Sequence, residues 1–193
     1  MTMKKAQSYK DKTLKPVTEA YLERAAIYYL ERYSSCQKNL ERILGQKCRR
    51  RNENNEAPSE QQLSWISAVS AKCARLGYVN DGIYARTRAA EMHRTGKPAR
   101  MITMALRHKG VGDDDINKAL QVLRKEEGEE TDRLAAITYA RRRRFGPYRT
   151  KDGDESKLKK EIGSMARAGF GFDIVRIIIE AKTVEELIEW AEG

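Results

Sequence analysis

The 193-residue chain sets 38 Lys and Arg against 28 Asp and Glu, a formal net charge of +10, with 34% of its residues charged and only 7% aromatic. No run approaches the ~18–20 apolar residues of a membrane span, the lysine-bearing start lacks the apolar stretch of a secretory signal, and there is too little apolar material for one large round core. Cys36, Cys48 and Cys73 have no C-x-x-C spacing and fit small apolar residues in a reducing compartment rather than a disulfide framework or a metal site, so a cytoplasmic setting with no cofactor and no metal is expected.

In chain order, residues 1–16 are polar, lysine-rich and aperiodic, and read as a disordered basic arm closed by Pro16. Thr18 then caps a helix of about 15 residues with Leu22, Ala26, Tyr29, Leu30 and Tyr33 on one face. Ser34 or Ser35 is expected to cap the next, which carries Leu40, Ile43 and Leu44. Asn52–Pro58 has almost no apolar content and reads as a loop. Ser59 restarts a helix with Leu63, Ile66, Val69, Cys73 and Leu76 inward, and Gly77 ends it. Asn80-Asp81 caps a helix with Ile83, Ala85 or Tyr84, Ala89, Ala90 and Met92 inward, which Gly96-Lys97-Pro98 breaks. Met101, Ile102, Ala105 and Leu106 follow, then a stop at Gly110. Asp113-Asp114-Asp115 opens a helix with Ile116, Ala119, Leu120 and Leu123. From about Glu129, Leu134, Ala135, Ile137, Tyr139 and Ala140 lead into Arg141-Arg142-Arg143-Arg144, stopped by Gly146-Pro147 and a polar loop over 148–153. Asp154 caps a helix with Leu158, Ile162, Met165 and Ala166 that stops at Gly169. Phe172-Asp173 opens another, with Ile174, Val175, Ile177 and Ile178. Thr183 caps a short terminal helix carrying Leu187, Ile188 and Trp190.

Nothing alternates with period two for long enough to be a strand. The chain also repeats itself. Leu106-Arg107-His108-Lys109-Gly110-Val111 is followed by Asp115-Ile116, and Met165-Ala166-Arg167-Ala168-Gly169-Phe170 by Asp173-Ile174, with a weaker echo in Ala74-Arg75-Leu76-Gly77-Tyr78. Such repetition means one supersecondary unit stacked on its copies. The expected fold is all-α: three tandem three-helix repeats over 17–77, 78–127 and 128–181, in an elongated, curved array, with a short acidic helix over 182–193.

Charge is unevenly placed. Residues 128–151 hold seven basic and three acidic residues, and residues 173–193 two basic and six acidic. A basic body with an acidic tail implies a polyanionic partner or one with an acidic face. The candidate contact residues are Arg86, Lys97, Arg100, Arg107 and Lys109 in the second unit, the run Arg141, Arg142, Arg143 and Arg144 in the third, and Tyr148 beside it as a base-stacking aromatic. Consecutive residues on a helix diverge by about 100°, so all four arginines cannot share one face; a helix end whose cations complement the dipole is the alternative for the same run. Residues 100–126 also match a helix-turn-helix, but three aspartates where a recognition helix meets DNA would repel phosphates. No catalytic constellation is present: His93 and His108 lack a carboxylate pattern, and no Gly-x-x-x-x-Gly-Lys phosphate loop occurs.

The Gly-Tyr-Val-Asn-Asp at 77–81, the Leu-Arg-His-Lys-Gly-Val at 106–111 and the Met-Ala-Arg-Ala-Gly-Phe at 165–170 follow the order of one family. Over about residues 17–181 the chain resembles the RecX family of regulators of the RecA recombinase. Gly82, where the family pattern has an acidic residue, longer loops at 51–58 and 146–153, and the acidic end depart from that pattern. The resemblance implies a protein whose partners are RecA and the RecA–single-stranded DNA filament, and which limits filament extension, strand exchange and RecA's ATPase activity; without a catalytic constellation of its own it is expected to be no enzyme, and an elongated monomer is the default expectation. Single- or double-stranded DNA is a further expected partner; a helical protein acting on DNA without RecA, and a scaffold binding only proteins, are the rival readings.

Overall fold

The computed structural model describes residues 16–128, 130–150 and 154–192; the arm, save for Pro16, and part of the 148–153 loop lie outside them. The described residues form ten α-helices, two short 3-10 turns and no strand. The first unit comprises α1 (Glu19–Leu30), α2 (Gln37–Arg49) and α3 (Glu60–Arg75). The second holds α4 (Asp81–Arg94), α5 (Ala99–Lys109) and α6 (Asp113–Glu127), and the third α7 (Thr131–Arg143), α8 (Glu155–Arg167) and α9 (Phe172–Glu180). A last helix, α10 (Val184–Glu192), packs back on α7. Each unit has its own apolar cluster. Leu22, Leu40, Leu44 and Val69 centre the first, Ile102, Leu106 and Ile116 the second, and Met165, Ile178 and Leu187 the third. Burying one such side chain contributes about 1.5–3 kcal/mol, but three helices alone make a small core, so the units lean on one another.

The two junctions follow one plan. Neither α2 nor α5 caps itself: their N-caps, Cys36 and Pro98, offer no side-chain acceptor. The following unit supplies it instead. Asp81, first in α4, accepts the Gln37 N–H at 2.8 Å, and Asp132, second in α7, accepts the Ala99 N–H at 2.7 Å. The glycine ending each second helix then seats on the preceding unit. A Cβ on Gly110 would stand 2.4 Å from Lys38 Cβ, and one on Gly169 would stand 2.5 Å from Met101 Cγ. The Cys36 thiol donates to the Lys109 carbonyl at 3.1 Å, and buried His93 donates from Nε2 to the Thr131 carbonyl at 2.8 Å. The second helix of the third unit differs: Asp154 caps α8 itself, accepting the Lys157 N–H at 2.7 Å.

Several local expectations change. Gly77 ends α3, a third helix, so it is not a copy of Gly110 and Gly169, which end second helices. All three close the same turn, with crossed bonds such as Tyr78 N–H to Cys73 O and Val111 N–H to Leu106 O. Only the position within the unit differs. Cys36, not a serine, precedes α2; Ser35 is buried and its hydroxyl accepts from Asn39 at 2.8 Å. Leu63 and Leu76 lie exposed because α3, at 16 residues, overhangs the 12 and 13 residues of α1 and α2 that cover it. Tyr33 lies past the end of α1, stacked at 5.2 Å on Tyr29, and Ile83 faces outward while Tyr84 and Ala85 are both buried.

Candidate binding surface

The arginine run stops being helical before it ends. Arg143 is the last residue of α7, and Arg144 takes a left-handed conformation, φ +59°. The Phe145 N–H reaches back to the Ala140 carbonyl at 2.9 Å, the same closing bond that the glycine-stopped helices make. In the second unit the corresponding first helix is stopped by Gly96, φ +81°. An arginine in a glycine's place carries a cost of about 1–2 kcal/mol.

This turn splits the run between two adjoining clefts. The larger, about 650 Å³, lies between the second and third units. Met101, Tyr139 and Ala168 give it apolar walls, and Lys97, Arg142 and Arg143 line it together with Thr95 and Gly96. Arg142 donates to the Thr95 carbonyl at 2.7 Å, and the Arg143 guanidinium lies 5.7 Å from the Tyr139 ring centroid. The second cleft, about 310 Å³, is lined by Arg143, Arg144, Phe145, Thr150, Lys157, Lys160 and Glu161. The carboxylate among its described lining residues is already engaged: buried Glu161 accepts from Arg149 at 2.7, 2.9 and 3.0 Å. Lys97, Arg142, Arg143, Arg144, Lys157 and Lys160 therefore form one basic track, with Arg143 shared by both clefts.

The other expected residues lie elsewhere. Arg86 is exposed in a groove between α4 and α6 that also holds Glu126. Arg100 and Arg107 are both exposed on α5, but Arg107 is paired with Asp113 at 2.7 Å. Lys109 sits half-buried at the first junction. Arg141 does not line the larger cleft, and its charge acts on the Tyr148 phenol. Tyr148 is half-buried against the third core, where burial pushes its phenol up, Arg141 opposes that and Glu185 of α10 adds to it. Tyr139 is the aromatic that lines the cleft. Lys157 and Lys160 were missed, although Lys157-Leu158-Lys159-Lys160 is visible in the sequence; only folding brings it beside the arginines.

Among the described residues no group of three or more His, Cys, Asp or Glu could hold a metal, and no helix is long and apolar enough to cross a membrane. Burial pushes all three cysteine thiols up, so they stay protonated near neutral pH.

A family model of the second three-helix domain of RecX matches residues 80–120, the α4–α6 unit. The regulatory protein RecX of Myxococcus xanthus (strain DK1622) is 35% identical over 166 residues, covering 86% of this chain and 87% of that protein. The chain belongs to the RecX family. The regulatory protein RecX of Agrobacterium fabrum (strain C58 / ATCC 33970) is 30% identical over 167 residues, 86% of this chain and 85% of that one. Two solved structures share the fold. The crystal structure of RecX from Lactobacillus salivarius aligns with a TM-score of 0.58 at 24% identity, over 85% of this chain and 96% of that one. A crystal structure of regulatory protein RecX aligns at 0.58 with 19% identity, over 84% and 72%. The helix triplets described above are thus the RecX architecture.

Proposed function

We propose that this RecX-family protein regulates RecA by binding along the RecA–single-stranded DNA filament in the cytoplasm, as a monomer, and that its effect is inhibitory. The observation that carries this reading is the basic track from Lys97 through Arg142–Arg144 to Lys157 and Lys160, which crosses the junction between the second and third units and runs on to α8. Stacked units present several weak contacts to a polymeric partner, and such contacts multiply when geometry lets them engage together. The protein acts by occupancy. Bridging neighbouring RecA subunits would hinder subunit addition and strand exchange, and would lower an ATPase activity that belongs to RecA. Arg86, Arg100, Arg107 and Lys109 belong to flanking contact regions, and Arg141 and Tyr148 to the support of the track.

The test is RecA's DNA-dependent ATPase rate with this protein at well below one copy per RecA, alongside binding to bare single-stranded DNA across salt. Inhibition at substoichiometric levels supports the filament reading. Salt-sensitive DNA binding with no effect on the ATPase would replace it with direct action on DNA, which the same basic track also favours.

A further inference from the structure

The two unit junctions are built alike, and only one is a cation-lined cleft. Counting from the aspartate that caps the preceding helix, Tyr139, Arg142 and Arg143 of the second junction correspond to Arg88, Glu91 and Met92 of the first. There Arg88 and Glu91 form an ion pair with each other and Met92 is buried, so these three positions carry no net charge, and the cation beside them is Lys109, the counterpart of Ala168. Lys97, just before the N-cap of α5, corresponds to Ser35 before the N-cap of α2, and Ser35 is buried. Packing alone is satisfied by the first arrangement. The second places three cations around a floor of Tyr139, Met101 and Ala168, and no carboxylate lines it. Among the described residues none of the three cations is ion-paired.

We propose that the cleft between the second and third units is a nucleotide pocket, holding a base against Tyr139, Met101 and Arg143 and its phosphate among Lys97, Arg142 and Arg143. Three features argue for a nucleotide over an acidic peptide. The volume of about 650 Å³ is that of a pocket for one compact ligand, within the ~300–1,000 Å³ usual for such sites. Arg143 stands over the Tyr139 ring, and a guanidinium plane held over an aromatic ring suits the flat π-face of a base. Fork-shaped guanidinium groups also match phosphate oxygens in pairs. Thr95, whose carbonyl fixes Arg142, holds one of these forks in place. The pocket rests on the filament reading only for its source, a nucleotide of a strand or a free one; its chemistry stands apart from RecA.

The experiment uses the full chain and two probes: a fluorescein-labelled oligonucleotide of ten thymidines, read by anisotropy, and dTMP, read by titration calorimetry. A version of the oligonucleotide carrying 5-iododeoxyuridine maps the contact by ultraviolet crosslinking. Crosslinks are expected on peptides containing Tyr139 or Met101. Lys97→Gln and Arg143→Gln, both exposed, should each weaken binding about tenfold, the scale of losing one stacking or phosphate partner. Arg24→Gln, an exposed cation of the first unit, should change it less than twofold. Tyr139→Phe should keep both fold and binding. Oligonucleotide binding assigns the pocket to a strand, and dTMP binding alone assigns it to a free nucleotide; either carries the proposal. Binding of neither probe, crosslinks confined to other peptides, an equal loss in Arg24→Gln, or full competition by polyglutamate of matched charge would overturn it. If RecA inhibition survives Arg143→Gln while the pocket fails, the filament reading stands and this one falls.

Discussion

Gly110 and Gly112 are two residues apart and should respond to substitution with opposite sign. Gly110 has φ +91°, and a Cβ there would stand 2.4 Å from Lys38 Cβ in the preceding unit. The left-handed backbone costs an alanine about 1–2 kcal/mol. The collision meets a Cβ, which cannot swing aside like a side-chain tip, so the junction must open, at about 1–3 kcal/mol for overpacking. Gly110→Ala should therefore destabilise by about 2–5 kcal/mol. Gly112 has φ −68°, nothing within 4 Å of a Cβ, and is the N-cap of α6 with no side-chain acceptor. Gly112→Ser supplies that acceptor and stiffens the unfolded chain, a gain of about 0.5–1 kcal/mol. Urea unfolding followed by circular dichroism at the helix band measures both, and for a chain of this size each kcal/mol moves Tm by about 2–4 °C. The reasoning fails if Gly110→Ala unfolds within 0.5 kcal/mol of the parent, or if the two variants shift the midpoint the same way.

Other outcomes follow from named residues. Arg144→Gly should raise stability by about 0.5–1 kcal/mol by relieving the left-handed arginine, while weakening binding to DNA or filament; a loss of stability would show that φ +59° is not a burden. Glu161→Ala strands Arg149, whose side chain is 17% exposed, and should destabilise by about 3–5 kcal/mol, with Glu161→Gln milder; equal unfolding midpoints for Glu161→Ala and the parent would rule this out. Burial first, then nearby Asp115 and Glu41, hold the Asp81 carboxyl above its usual range, against the pull of the Gln37 N–H. A raised carboxyl favours the fold below its unfolded pKa, and that contribution is lost as pH rises through the folded value. Asp81→Asn keeps an acceptor for Gln37 without the charge, so its stability relative to the parent should improve from pH 3 to pH 7; a constant difference would contradict this. Native protein should leave Cys36, Cys48 and Cys73 unmodified by a thiol reagent at neutral pH and expose them in urea, as read by mass; rapid native labelling would contradict their burial.

Helix placement was largely legible because its signals are local. Thr18, Ser59, Asn80 and Asp154 each accept an N–H from the turn they begin. What could not be read was long-range. The turn at Gly77 closes with the same bonds as those at Gly110 and Gly169, so no local pattern separates the end of a third helix from that of a second. Asp81 and Asp132 look like caps of their own helices, yet their carboxylates serve α2 and α5. The arginine run was visible as a cluster; that Arg144 leaves the helix and that Arg141 does not line the larger cleft were not. Tyr139 lies on the same helix, while Lys157 and Lys160 come from α8 and required the fold. Leu63 and Leu76 satisfied the periodicity of α3 but not the lengths of its neighbours.

Because α2 and α5 borrow their cap from the unit that follows while α8 supplies its own through Asp154, the borrowed cap marks how one unit is joined to the next. A duplicated middle module, from Asn80 through Thr131-Asp132, would carry both the lending aspartate and the seating glycine, and could be spliced in without redesigning either edge. Lengthened versions of this protein would then span more of a polymer at each encounter, and reach could be tuned by counting modules.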